Sequence, residues 1–254
     1  MDRLKGFAED ARRAVASGLY GDVPSDAPGR PGPSLAKAIA SAPRALIAEM
    51  KPASPSGPLR TFEDAGALGR TLLDAGARGL SVLTESRTFH GSLRNLARAA
   101  RLGAPVLMKD FVVDERQIDA AKACGASAVL LILPLHAERM ARMDVDAAIA
   151  AAHARGLETL LEVYDAGGLD AAFATRTDMV GFNNRDLRDL SVDLARFAPA
   201  MAGRRKDRPV IALSGVETRR DADALFAAGA DAVLVGSALM RAPDPAVVVK
   251  ELVG

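Results

Sequence analysis

Short runs dense in Val, Leu and Ile recur along this chain, each separated from the next by a longer stretch with helical spacing. The runs fall near Ala45–Met50, Gly79–Leu83, Val106–Lys109, Ala128–Ile132, Glu158–Glu162, Met179–Phe182, Val210–Leu213 and Ala232–Val235. They lack the polar alternation of a half-solvated strand, so they predict parallel strands covered on both faces. Three junctions repeat one device: Ala75-Gly76-Ala77, Cys124-Gly125-Ala126 and Ala228-Gly229-Ala230 each close a helical pattern just ahead of an apolar run. A glycine there accepts the left-handed conformation that ends a helix.

Eight strands alternating with helices predict a closed (β/α)8 TIM barrel. An open doubly wound sheet would carry a glycine-rich nucleotide turn after an early strand, and no G-x-G-x-x-G occurs. The length of 254 residues suits one such domain, 1–254. Ahead of the first strand, residues 1–44 predict a helical extension over the barrel mouth. It comprises a helix near Asp2–Ser17, a Pro- and Gly-rich link Asp22–Pro33, and a short helix Leu35–Ser41 capped by Ser34. This extension reads as a plug for an open end, a lid over substrate, or both.

Charge narrows the partners. With 33 basic against 32 acidic residues there is no surplus to hold nucleic acid or an acidic membrane, so a small molecule is the expected partner. The run Arg204, Arg205, Lys206, Arg208 encloses Asp207 and reads as a solvated loop. No apolar stretch reaches membrane-spanning length and the first residues do not form a signal-peptide core, which predicts a cytoplasmic protein. The one cysteine, Cys124, has no internal partner and reads as a helix-to-strand packing residue. His90, His136 and His153 lack metal-ligand spacing, and neither metal nor cofactor is expected.

Polar residues at the strand ends carry the chemistry. Catalytic groups of barrels gather at the C-terminal ends of strands, where a charge can face the solvated mouth. Glu49 and Lys51 lie two apart, on one face of the first strand. The third strand ends in Lys109, the fifth in Glu162, and the sixth runs on into Asn183 and Arg185. Any one of these alone reads as a rim salt bridge. Together, two carboxylates and two ammonium groups around one opening point to acid–base work on an anionic substrate. The chain has only seven lysines, and two stand at strand ends, where a group able to change protonation state is needed. After the last two strands, Ser214-Gly215 and Gly236-Ser237 predict phosphate-binding turns, each followed by a helix whose N-terminus adds positive potential.

The segments Glu49-Met50-Lys51-Pro52-Ala53-Ser54-Pro55-Ser56-Gly57, Ser81-Val82-Leu83-Thr84-Glu85, Leu107-Met108-Lys109-Asp110-Phe111, Leu161-Glu162-Val163 and Gly181-Phe182-Asn183-Asn184-Arg185-Asp186-Leu187 resemble the indole-3-glycerol-phosphate synthase family over about residues 45–241. The helix near Lys5-Gly6-Phe7 resembles that family's lid. The resemblance implies conversion of 1-(2-carboxyphenylamino)-1-deoxy-D-ribulose 5-phosphate to indole-3-glycerol phosphate with loss of carbon dioxide and water, in tryptophan biosynthesis, by a monomer or weak homo-oligomer. It implies Lys109 as general acid, Glu162 as the dehydration partner, Lys51 against the anthranilate carboxylate, Glu49 orienting the lysines and Asn183 on the sugar oxygens. Ser54, Ser214, Gly215, Gly236 and Ser237 would hold phosphate with Arg185 in support, and Leu83, Phe89, Phe111 and Leu131 would contact the substrate.

One position departs from the family pattern. Leu213 stands where a third mouth carboxylate is usual, leaving Glu49 and Glu162 against Lys51 and Lys109, one unit more positive than with the third acid. Both proton-transfer groups persist, so an altered substrate position and operating pH are expected. The alternatives are a different phosphosugar lyase or aldolase using Lys109 as a Schiff base, and a phosphate-ligand-binding paralogue with reduced turnover.

Overall fold

In the computed structural model, which describes residues 2–254 and so excludes Met1, every predicted apolar run is a strand. They are β1 (Ala45–Met50), β2 (Gly79–Leu83), β3 (Val106–Lys109), β4 (Ala128–Ile132), β5 (Glu158–Val163), β6 (Met179–Asn183), β7 (Val210–Leu213) and β8 (Ala232–Val235). Each pairs in parallel with the next, and β8 pairs with β1, closing the barrel. β5 and β6 each run one residue further than the sequence pattern suggests, to Val163 and Asn183. A short antiparallel pair, Ala53–Ser54 with Gly57–Pro58, follows β1 and was not legible in the periodicity. Two-residue strands are too short to establish a period.

All residues of β1, β2, β4, β6, β7 and β8 are buried, as expected where side chains fill the lumen on one side and helices cover the other. At Gly181, on β6, a Cβ would come within 2.7 Å of the Leu213 side chain, so the lumen holds no spare volume there. Gly125 closes the helix Glu115–Cys124 at φ 86°, and Gly76 and Gly229 share the positive φ. Cys124 is fully buried, and burial pushes its thiol up to about 12, consistent with packing rather than reactivity. The basic loop is solvated and paired: Arg204 meets Asp170, Lys206 meets Asp231 and Arg208 meets Asp207. Among the described residues no helix is long and apolar enough to cross a membrane.

The N-terminal segment divides between the two ends of the barrel. Its first helix, Arg3–Ala16, is capped by Asp2 and buries Leu4, Phe7, Ala8, Ala11 and Val15. Phe7 and the following Tyr20 reach residues just beyond β3, at the mouth. The link then descends the outside of the barrel, where Gly29 and Gly32 donate backbone N–H groups to Ala123 and Ala126 ahead of β4. The second helix, Leu35–Ala40, lies at the opposite end, so the expectation of an extension wholly over the mouth is corrected. Ser34 caps it as predicted, but a second acceptor completes the cap. Glu158, the first residue of β5, takes the N–H groups of Leu35 at 2.8 Å and Ala36 at 3.1 Å and also binds the Ser34 hydroxyl.

Helix N-termini leave N–H groups unpaired, and a carboxylate there satisfies them and the helix dipole together. Glu158→Ala is therefore expected to cost about 1–2 kcal/mol in urea unfolding while leaving activity at saturating substrate nearly unchanged.

Candidate active site

The C-terminal strand ends bring the predicted charges together. On β1, two-residue alternation puts Glu49 and the following Lys51 on the lumen side, and their Oε1 and Nζ atoms meet at 2.9 Å. Burial pushes the Glu49 carboxyl up, but Lys51, Lys109 and Arg185 outweigh it and hold the group below the ordinary carboxylate range. A Cβ at Gly236, on the turn after β8, would lie 2.4 Å from Glu49 Oε1, so only glycine leaves space for this carboxylate.

Lys109, at the end of β3, faces Glu162 of β5 with Nζ to Oε2 at 3.7 Å. Glu162 is fully buried. Its Oε1 accepts from Asn183 Nδ2 at 2.8 Å, and Asn183 Oδ1 accepts from the Arg185 backbone N–H at 2.9 Å. The Arg185 guanidinium donates to the Leu190 carbonyl at 2.9 Å, which folds the loop after β6 back toward the mouth. Burial pushes the guanidinium down from its ordinary value, against Glu49 and Glu217, but arginine stays charged.

These groups surround one cavity of about 510 Å³, lined by Glu49, Lys51, Ser54, Leu83, Phe89, Lys109, Phe111, Asn183, Arg185, Ser214, Gly215, Gly236 and Ser237. Two predicted residues do not line it. Leu131 is replaced by its neighbours Leu130 and Ile132, because strand alternation turns Leu131 away from the lumen. Glu162 stands one layer behind, covered by Lys109 and Asn183. Leu213 does line the cavity, with an apolar surface where a carboxylate was the family expectation.

The two serine–glycine turns differ. Ser214 and Gly215 both have positive φ, 64° and 86°, and Asn184 Nδ2 pins this turn through the carbonyls of Leu213 and Ser214. A non-glycine residue in this region is strained and persists only where its surroundings fix it. The helix after β8 starts directly at Ser237. After β7 the helix starts only at Arg219, and Thr218 and Asp221 already cap it, so the expected helix N-terminus at that turn is absent.

Several contributors had no role assigned from the sequence, although Thr84, Glu85 and Asp110 fall within the segments that carry the family resemblance. Asp110 is buried beside Lys109 and accepts from Tyr20 Oη at 2.8 Å, Thr84 Oγ1 at 2.5 Å and the Phe111 N–H at 2.8 Å. Tyr20 thus joins the N-terminal segment to the strand end that carries Lys109. Burial and Asp110 push the Tyr20 phenol far up, so it remains a donor. Glu85 accepts three N–H groups, from Arg87, Thr88 and Phe89, at 2.8, 2.8 and 2.9 Å, and fixes the loop that presents Phe89. Phe7 stacks on Phe111 at 4.6 Å between centroids, with Phe89 at 6.1 Å from Phe111, forming an aromatic wall across the mouth. Partners so distant in sequence become visible only when the barrel brings them together.

A family model for indole-3-glycerol phosphate synthase matches residues 20–252. A Streptomyces coelicolor protein named indole-3-glycerol phosphate synthase 2 is 45% identical over 88% of this chain and 86% of its own length. An indole-3-glycerol phosphate synthase from Rhodopirellula baltica is 41% identical over 82% of this chain and 79% of its own. Among solved structures, a 3-hexulose-6-phosphate synthase superposes with a TM-score of 0.63 at 19% identity, over 82% of this chain and 97% of its own, and is alike in fold.

Burial pushes the Asp110 carboxyl up to about 6 against its three hydrogen bonds. A folded-state value above the unfolded one means that the group favours folding when protonated. That contribution is complete below about pH 4 and is lost as pH rises through about 6. The stability difference between Asp110→Asn and the parent is expected to change by about 2–3 kcal/mol across this window and to be flat above it. Paired urea melts at stepped pH measure it.

Proposed function

The chain belongs to the indole-3-glycerol phosphate synthase family, and from that premise we propose that its mouth closes the indole ring with Lys109 as acid and Glu162 as base. The activity is that of a carboxy-lyase of tryptophan biosynthesis, which turns 1-(2-carboxyphenylamino)-1-deoxy-D-ribulose 5-phosphate into indole-3-glycerol phosphate, carbon dioxide and water. The observation that carries the assignment of roles is the convergence of Lys109, Lys51, Glu49 and the serine–glycine turns on one cavity.

In this reading, the phosphate rests on Ser54, Ser214, Gly215, Gly236 and Ser237, with Arg185 beside them, while Leu83, Phe89 and Phe111 receive the aromatic ring. Lys51, held by Glu49, faces the ring carboxylate. As the ring carbon attacks the ketone carbon, Lys109 gives a proton to the ketone oxygen, which becomes a hydroxyl. Loss of carbon dioxide restores the aromatic ring without further proton transfer. The hydroxyl then takes a second proton and departs as water, while Glu162, uncovered as Lys109 turns to the substrate, removes a proton from the adjacent carbon.

Two protons are given and one is taken, as the loss of a carboxylate requires. Glu162, 3.7 Å from Lys109, can return its proton to the acid, so each turnover draws one from solvent. The N-terminal helix acts as a lid because it brings Phe7 onto Phe111. The reading takes the protein as a monomer or weak homo-oligomer working in the cytoplasm.

Lys109→Ala is expected to lower kcat by about 10³-fold or more, read by the fluorescence of the indole product. A wild-type rate would remove Lys109 from the mechanism. Leu213→Glu adds a carboxylate beside the lysines and stabilises their charged forms. The basic limb of its pH–rate profile is expected to move to higher pH, and superimposable profiles would show that residue 213 does not tune the acid.

A further inference from the structure

Glu162 and Tyr164 leave the same face of β5 and its end, two residues apart, and each holds an unsatisfied buried atom. Glu162 Oε2 has the Lys109 ammonium at 3.7 Å but no hydrogen bond, and among the described residues the Tyr164 hydroxyl has no partner. Tyr164 is 4% exposed, and its phenol lies close enough to the Glu162 carboxylate to feel its charge, with no hydrogen bond between the two. Buried polar atoms without partners are rare and costly, so two such neighbours call for an explanation.

The mechanism supplies one. To protonate substrate, Lys109 must turn its Nζ away from Glu162. A fully buried carboxylate stripped of that ammonium, and held by Asn183 on one oxygen, would be drawn toward its neutral form and cease to be a base. We infer that the Tyr164 hydroxyl moves onto Glu162 Oε2 as Lys109 leaves it, and so keeps the carboxylate ionised through dehydration. Tyr164 is thus a positioning residue, acting on the reaction through Glu162, and the inference rests on the acid and base roles given above.

The charged and titratable groups around the pair are few. Lys109 of β3 faces Glu162, and Asn183 of β6 is its neutral partner. Around Tyr164 stand Asp186 and Arg188 from the loop after β6, and the Arg196 guanidinium donates to its backbone carbonyl. Burial and the Glu162 and Asp186 charges hold the phenol well above its ordinary value, which keeps its proton available for donation. Donation from a neutral phenol stabilises a carboxylate without adding a proton to it.

The test is the pH dependence of kcat for Tyr164→Phe, beside Glu162→Gln and the double variant. Tyr164→Phe should raise the apparent pKa of the acid limb by about one unit. Well below that limb kcat should fall about tenfold, recovering at higher pH, with KM within about twofold. Because the hydroxyl has no partner in the free protein, Tm should be equal or higher, so the fold is kept. Infrared difference spectra with bound indole-3-glycerol phosphate should show a protonated carboxyl in Tyr164→Phe that Glu162→Gln removes. An unchanged profile in Tyr164→Phe, or a uniform loss at every pH, overturns the inference while leaving Glu162 as base. Full activity in Glu162→Gln overturns both readings. In the double variant, Tyr164→Phe should add no loss to that of Glu162→Gln, and an added loss would place Tyr164 on a different group.

Discussion

The carboxylates beside Lys51 and Lys109 in the mouth of this barrel each face an opposite charge or donor supplied by another strand. Two carboxylates, Glu49 and Glu162, are buried there, and isolated carboxylates so placed would be neutral. Lys51, Lys109 and Arg185 hold Glu49 ionised, while Lys109 and Asn183 serve Glu162. Because the partners lie on β1, β3, β5 and β6 or just beyond, correct pairing requires the barrel to close in register. The acid–base chemistry is therefore a property of the whole ring of strands. The lysines are positioned by the acids they neutralise, and the substrate's own negative groups enter a site whose cations are already ordered.

Much of this was legible in the sequence because strands and catalytic positions obey local rules. The apolar runs gave the barrel strands nearly to the residue, and polar side chains at their C-terminal ends marked the mouth. Local rules failed where one residue of offset or a distant partner decides. Leu131 belongs to the correct strand but faces outward, while Leu130 and Ile132 reach the cavity. Alternation is easily misphased in a continuous apolar run, which has no polar residue to mark its faces. Glu162 sits where a strand end should present it, yet Lys109 and Asn183 cover it. Tyr20, Thr84 and Asp110 come from three separate segments, and no spacing rule joins them. The second helix of the N-terminal segment reads the same whichever end of the barrel it covers, and only Glu158 assigns it to the lower one.

Leu213 shows how a barrel accommodates an apolar side chain among the charges of its mouth. Its side chain fills space above Gly181, where a Cβ would collide with it. The apolar residue is thus accommodated by packing rather than by hydrogen bonding. The pairs Lys51–Glu49 and Lys109–Glu162 do not depend on a group at this position, so an apolar residue there strands no buried charge.

The route of residues 2–44 has a mechanical consequence. Tyr20 and Phe7 grip the roof of the barrel, Ser34 and Leu35 are held at its floor by Glu158, and the stretch between them contains Pro24, Pro28, Pro31 and Pro33. Prolines stiffen that stretch and limit its slack. The segment behaves as a strap fastened at both ends and pinned midway by Gly29 and Gly32, so one continuous stretch of chain ties the roof of the barrel to its floor along the outside.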